Sequence, residues 1–155
     1  MTAGSARADL PSRPVDVGPL ISPHCEAMRD EVRVLVIDDE PLIRWSCAQM
    51  LTASGFPVIE GERGETAVAV LANPNGGAEV VLLDLILPDS RGLSLLALLR
   101  RLAPAVPIIL MTAFPTPEVV AEAQRLGAFA VVEKPFDLNG LVPLVRRALA
   151  SAPPS

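Results

Sequence analysis

The stretch "EVVLLDLIL", residues 79–87, decides how this chain folds. It is apolar at odd and even positions alike, so a strand built from it must be covered on both faces. That is the character of a central strand in a parallel sheet with helices on either side. One residue breaks the run. Asp84 sets a carboxylate among leucine and isoleucine neighbours, where an unpaired charge is expensive.

Outward from this strand, the pattern alternates. Downstream, "RGLSLLALLRRLA" (91–103) is helical, "VPIILMT" (106–112) a strand, and "TPEVVAEAQRLG" (116–127) a helix with Thr116 as N-cap, Pro117 at its first position and Gly127 as C-cap. "FAVVEK" (129–134) reads as a strand and "LVPLVRRALA" (141–150) as a last helix. Pro143 lacks an N–H, which is tolerable only in a first turn, so this helix should start late, near Leu141, or begin irregularly. Upstream, "RVLVID" (33–38) is a strand and "PLIRWSCAQMLTAS" (41–54) a helix stopped by Gly55. "PVIE" (57–60) is a short strand whose Pro57 suits an edge, and "GETAVAVLA" (64–72) is a helix ended by "NPNGG". Five βα units in about 120 residues predict an α/β domain with a parallel sheet covered on both faces.

The folded domain is expected over residues 32–150. Residues 1–31 carry four prolines and no sustained periodicity, and are expected to be a flexible extension; residues 151–155, "SAPPS", read as a short tail. The net charge of −5 makes nucleic acid and anionic membranes poor partners. No apolar run approaches the roughly 20 residues of a membrane span, and no signal peptide is seen, so a soluble, cytoplasmic protein is expected. Cys25 and Cys47 lack metal or redox spacing and His24 is the lone histidine, which leaves no zinc site to build.

Ligands of open parallel sheets bind beyond the carboxyl ends of the strands. There the sequence delivers Asp38, Asp39 and Glu40 after the first strand, Asp84 from the third, Thr112 from the fourth and Lys134 from the fifth. Taken singly, Thr112 is a common turn residue, and Asp38 and Asp39 serve equally well as helix caps. Together they make a site. Three converging carboxylates repel one another, and a divalent cation with a taste for oxygen relieves them; Mg²⁺ fits best. A carboxylate beside such an ion can act as a nucleophile toward a phosphoryl group, with the Thr112 hydroxyl and Lys134 ammonium as donors to its oxygens. Lys134 is the only lysine among 13 basic side chains. A compact ammonium on a flexible stem reaches a single oxygen, where a planar guanidinium would clash or bind the wrong pair. The Lys134–Pro135 bond is a candidate cis peptide that aims the lysine inward.

At these residues a resemblance enters. "VLVIDDEP", "VLLDLILPDSRGL", "ILMTAF" and "GAFAVVEKPFD" resemble the motifs of the receiver domain of two-component response regulators, with a match from about residue 33 to 150. "PLIRWS" and "GAFAVVEKPFD" look most like the nitrogen-regulatory type. The resemblance implies a flavodoxin-like (βα)5 three-layer sandwich with strand order 2-1-3-4-5. It implies Asp84 as phosphoacceptor from a histidine kinase or phosphotransferase protein. Asp39 and Asp84 would ligate Mg²⁺, with Asp38 acting largely through water and the Ile86 carbonyl as a further ligand. Thr112 and Lys134 would bind the phosphoryl oxygens. Output would run through the surface of the fourth helix, fifth strand and fifth helix to a separate target protein, with a phosphorylation-dependent dimer as one form of that contact. Since no effector domain follows the last helix, a single-domain regulator is expected.

The chain departs from the family in two places. Receivers often carry an aromatic switch residue three positions before the lysine; here it is Val131, and the chain has no tyrosine. Phe129 should face the same side as Val131 and so compensate in part, with Phe114 as the other aromatic near the site. Ile86 and Phe114 stand where the family can carry polar groups that position a hydrolytic water. If Phe114 covers the site, water loses access as well, and slow loss of the phosphoryl group is expected. Two other readings stay open. A phosphatase of the haloacid-dehalogenase type would share the carboxylates, Thr, Lys and Mg²⁺, but places its nucleophile on the first strand in a DxD pattern, where this chain has "DDE". A receiver-like docking module would bind partners without phosphorylation.

Overall fold

The computed structural model describes residues 31–152 apart from Gly76 and Gly92. The extension expected over residues 1–31 therefore lies outside the described residues, Glu31 excepted, as does the end of the tail. Five strands form one parallel sheet: β1 (Val34–Ile37), β2 (Val58–Gly61), β3 (Val80–Asp84), β4 (Ile108–Thr112) and β5 (Ala130–Glu133). Their order is 2-1-3-4-5, as expected, with β2 and β5 at the edges. Five helices connect them: α1 (Pro41–Ala53), α2 (Gly64–Leu71), α3 (Ser94–Leu102), α4 (Pro117–Arg125) and α5 (Leu141–Ser151). Among the described residues no helix is long and apolar enough to cross a membrane.

The three inner strands are buried at every position, which accounts for sequences that are apolar up to Asp84 and Thr112 at the ends of β3 and β4. Period-two alternation divides them between two cores. Leu35, Ile37, Val81, Leu83, Ile108 and Leu110 pack with Ala67, Leu96, Leu99 and Ala123 from α2, α3 and α4. Val34, Val36, Val80, Leu82, Ile109 and Met111 pack with Cys47 and Leu51 of α1 and Val142 and Val145 of α5. The result is a three-layer sandwich.

Local signals place the helix ends. Thr116 Oγ1 accepts the Val119 N–H at the start of α4, and Gly127 ends it with φ +99°. Gly55 takes φ +94° after α1. The Pro143 expectation holds in both forms: a 3₁₀ turn over Leu138–Gly140 precedes α5, which begins at Leu141 with the proline third in line.

Within the run at 79–87 the third strand ends at Asp84, where the sequence placed its end. The Leu85 N–H still bonds to Met111 O at 3.0 Å, and Ile86–Leu87 then folds back on Ser90–Arg91 as a two-residue antiparallel ribbon. The apolar character of Leu87 reflects burial in the α2–α3–α4 core, not strand continuation. One expectation needs correction. The last helix runs to Ser151, which was expected in the tail; the Ser151 hydroxyl donates to Ala148 O at 2.7 Å.

The ribbon has a structural consequence. Asp89 at its turn reaches the start of α2, where Oδ1 accepts the Gly64 N–H at 2.7 Å and Oδ2 the Glu65 N–H at 3.0 Å. Those bonds, led by Gly64, hold its carboxyl below the usual range. Since the folded-state pKa is depressed, this contribution is present above the unfolded pKa and lost on acidification. Asp89→Ala is expected to cost about 1 kcal/mol at pH 7, read from the urea midpoint.

Candidate functional site

The carboxyl edge of the sheet gathers the predicted side chains. β1 runs into Asp38, which is fully buried, while Asp39 and Glu40 are exposed. β3 ends on Asp84, 7% exposed, β4 on Thr112, 3% exposed, and Lys134 follows β5 at 9%. The Lys134–Pro135 peptide is cis. Carboxylate oxygens of Asp38, Asp39 and Asp84 lie within 4.8 Å of one another.

Lys134 sits at the centre. Its Nζ is 2.7 Å from Asp38 Oδ2, 3.2 Å from Asp84 Oδ2 and 3.3 Å from Glu40 Oε1. Burial alone would push its pKa down, but the bonds and charges of Asp38 and Asp84 outweigh burial and raise it. One ammonium thus faces three carboxylates, and its spherical charge at the end of a straight stem is the shape that reaches them all. Glu40 was not foreseen as its partner. It is the third acid of "DDE", and the only available signal was its place in that run.

The carboxylates remain short of positive charge. Among the described residues, the buried Oδ2 of Asp38 has no hydrogen-bond donor apart from the ammonium, and Asp84 Oδ1 accepts only the Ile86 N–H, at a long 3.3 Å. Its carboxyl is pushed up to about 6 by burial first and by the charge of Asp38 second, with Lys134 pulling the other way. Two buried acids, an exposed third and an under-satisfied oxygen suit a hard divalent cation that keeps several waters, so the residues fit Mg²⁺.

A test of this electrostatic strain follows. Without divalent cation, the folded state holds a proton on Asp84 that the unfolded chain has lost, between the ordinary carboxyl value of 3.8 and about 6. A raised folded-state pKa means that stability falls as pH rises through that window, by on the order of 1–3 kcal/mol for this group. Asp84→Asn should therefore be more stable than the wild type at pH 7.5 in EDTA. The gap should shrink toward pH 4, and Mg²⁺ should narrow it at pH 7.5. Parallel urea midpoints in both proteins across pH would contradict this account.

Thr112 lies on the same edge. Its Oγ1 accepts the Phe114 N–H at 3.1 Å, and its main-chain oxygen accepts the Lys134 N–H at 2.8 Å. The hydroxyl hydrogen is left to donate elsewhere. Phe114 itself is 76% exposed and Ile86 53%, so of the two placements open to the phenylalanine it takes the one toward solvent and does not cover the site. Val131 packs, half buried, in the core of α2, α3 and α4, whereas Phe129 packs in the opposite core with α1 and α5. Phe129 therefore does not share the side of Val131. It precedes β5, and its N–H bonds to Ile108 O at the far end of the sheet, where strand alternation has not yet begun.

The comparisons agree with this geometry. Residues 34–146 match the response regulator receiver domain family. The regulatory protein AtoC of Escherichia coli K12 is 38% identical over 117 residues, which cover 76% of this chain and 25% of AtoC. The DNA-binding transcriptional regulator NtrC of Salmonella typhimurium is 35% identical over 76% of this chain and 24% of its own length. The chain thus matches about a quarter of each of these longer proteins. The receiver domain of NtrX from Brucella abortus superposes with TM-score 0.69 at 30% identity, covering 77% of this chain and 99% of that one. With strand order, acidic edge and family match in accord, this chain belongs to the response regulator receiver domains of two-component systems.

Proposed function

We propose that Asp84 accepts a phosphoryl group from a histidine kinase or phosphotransferase protein, and that the modified domain signals by altered protein binding. The observation that carries this reading is the placement of Asp84. It is a buried carboxylate at a strand end, 3.2 Å from an ammonium and within 4.8 Å of two further acids. Asp38, Asp39 and Asp84, with the Ile86 carbonyl and with Asp38 acting largely through water, would hold Mg²⁺, which would supply positive charge for the incoming phosphoryl oxygens.

The chain's own residues do the rest. An Asp84 oxygen attacks phosphorus in line, the new O–P bond forms, and the P–N bond to the donor histidine breaks. The imidazole nitrogen keeps that electron pair. Lys134 Nζ gives up its contact with Asp84 Oδ2 for a phosphoryl oxygen, and Thr112 donates its hydroxyl hydrogen to another. The bond between Thr112 and Phe114 carries that movement into the loop that ends in the Thr116 cap of α4. With Val131 in place of an aromatic switch, loop and α4 displacement carries the signal to the α4–β5–α5 face. There it selects a target protein or a second copy of the domain. The DNA-binding description of NtrC belongs to that longer protein; the part matched here is receiver.

Incubation with acetyl phosphate and Mg²⁺ followed by intact mass tests the reading. One added phosphoryl group is expected, absent in Asp84→Ala. Labelling retained in that variant sinks the assignment. An unmodified wild type points to a docking module, and catalytic release of phosphate to a phosphatase.

A further inference from the structure

The backbone of the acidic turn is held by one side chain outside it. Arg44, one turn into α1, donates from Nη1 to the main-chain oxygen of Asp38 at 2.7 Å. Its Nε lies 3.4 Å from Glu60 Oε1 and its Nη1 3.9 Å from Glu62 Oε2, at the end of β2. The guanidinium is only 18% exposed, less than either glutamate at 44% and 65%. The carbonyl it grips belongs to the peptide joining Asp38 to Asp39. The other side of Asp38 is already fixed, since its N–H bonds to Gly61 O at 3.1 Å and its Oδ1 accepts the Glu40 N–H at 2.9 Å. Arg44 thus sets the last free plane before Asp39, whose carboxylate is exposed yet lies within 4.8 Å of the other two acids.

We propose that Arg44 is a positioning residue for the divalent cation: by anchoring the Asp38 carbonyl to the end of β2, it aims the Asp39 carboxylate into the cation site. The inference rests on the reading of that site given above. An arginine fits the task because its planar fork serves a carbonyl and a carboxylate at once. Glu60 and Glu62 in turn keep the guanidinium pointed away from Asp38 and Asp84 carboxylates, where it would compete with the cation.

Mg²⁺ is titrated calorimetrically into wild type, Arg44→Met, Arg44→Lys and Glu60→Gln, with urea midpoints measured in EDTA. Arg44→Met should weaken Mg²⁺ binding about tenfold, the usual scale for removing a group that orients a ligand. Its acetyl phosphate labelling should need about tenfold more Mg²⁺ for half-saturation and reach the wild-type maximum. Glu60→Gln loosens the β2 end of the tie and leaves the bond to the Asp38 carbonyl, so it should lower the urea midpoint and weaken Mg²⁺ binding by less than Arg44→Met does. Arg44→Lys, the milder change, keeps the test decisive where the methionine variant does not fold; about a threefold loss is expected from a single ammonium that cannot serve both partners. A lowered urea midpoint with unchanged Mg²⁺ affinity in the Arg44 variants makes the residue a structural tie between α1 and β2 and overturns the proposal. Absence of any isotherm in the wild type overturns the reading of the site itself.

Discussion

Lys134→Met is expected to cost about 3–5 kcal/mol of stability at pH 7.5 in EDTA and to abolish labelling by acetyl phosphate. The side chain is 8% exposed and touches Asp38, Asp84 and Glu40 at 2.7, 3.2 and 3.3 Å. Removing it leaves two buried carboxylates without a counter-charge, the circumstance in which a broken buried pair is most destabilising. Part of the loss will be relieved by a proton moving onto Asp84, whose carboxyl is already pushed up to about 6, so the deficit should be smaller at pH 5 than at pH 7.5. Mg²⁺ should restore much of the stability and none of the labelling, because the cation replaces the charge but not the donor to the phosphoryl oxygen. Lys134→Arg separates charge from shape. It keeps the positive charge, so its stability loss should be the smaller one, yet its labelling rate should still fall at least about a hundredfold for want of a well-placed donor. Labelling of the arginine variant near the wild-type rate would show that charge alone suffices and that the lone lysine has no special fit. The Lys134 pKa is raised, so its own contribution persists below its unfolded value and is lost only at strongly alkaline pH. Stability changes between pH 4 and 6 therefore report on Asp84 and not on the lysine.

The fold was legible because parallel sheets leave a strong trace. Strands buried on both faces are continuously apolar up to their carboxyl ends, as at Val34–Ile37 and at 80–83, and the Pro117, Gly127 and Gly55 signals fall where backbone geometry requires them. That Asp38, Asp39, Asp84, Thr112 and Lys134 gather at one edge, as a candidate site, was legible for a related reason. A charged or hydroxyl group ending an apolar strand has one place to go, the carboxyl edge. What escaped was set by tertiary geometry. Nothing local marks Ile86–Leu87 as a ribbon that turns Asp89 toward α2, since apolar residues continue past Asp84. Phe129 keeps the odd spacing of Val131 but lies before β5, so the alternation argument was applied one residue outside its range. Arg44 belongs to a helix whose exposed face also carries Leu42 and Trp45, and only the folded chain shows its guanidinium reaching back to Asp38.

The phosphorylated protein is expected to lose its phosphoryl group slowly, over many minutes or longer in Mg²⁺ buffer. Hydrolysis needs a water in line with the bond to Asp84, on the open side of the site, and a group to hold and deprotonate it. The family resemblance puts that path beside the side chains two residues after Asp84 and two after Thr112, which are Ile86, 53% exposed, and Phe114, 76% exposed. Neither can accept a hydrogen bond or a proton. Since Phe114 stands out in solvent, water is not shut out, and access no longer contributes to the expectation. Orientation remains. Without a polar group at either position the attacking water arrives unheld, and the lost positioning is worth roughly tenfold to a hundredfold in rate. Ile86→Asn combined with Phe114→Glu should recover that factor. Both positions are exposed, so the double variant should keep the wild-type urea midpoint within about 0.5 kcal/mol. The measurement is the decay of the phosphorylated mass after excess acetyl phosphate is removed. A wild-type lifetime of seconds rejects the argument, because some other group would then be holding the water. An unchanged decay in the double variant rejects it as well, by showing that these two side chains do not line the path. The separation of access from orientation is itself testable: Phe114→Ala removes bulk without adding a polar group, and should leave the decay rate where it was.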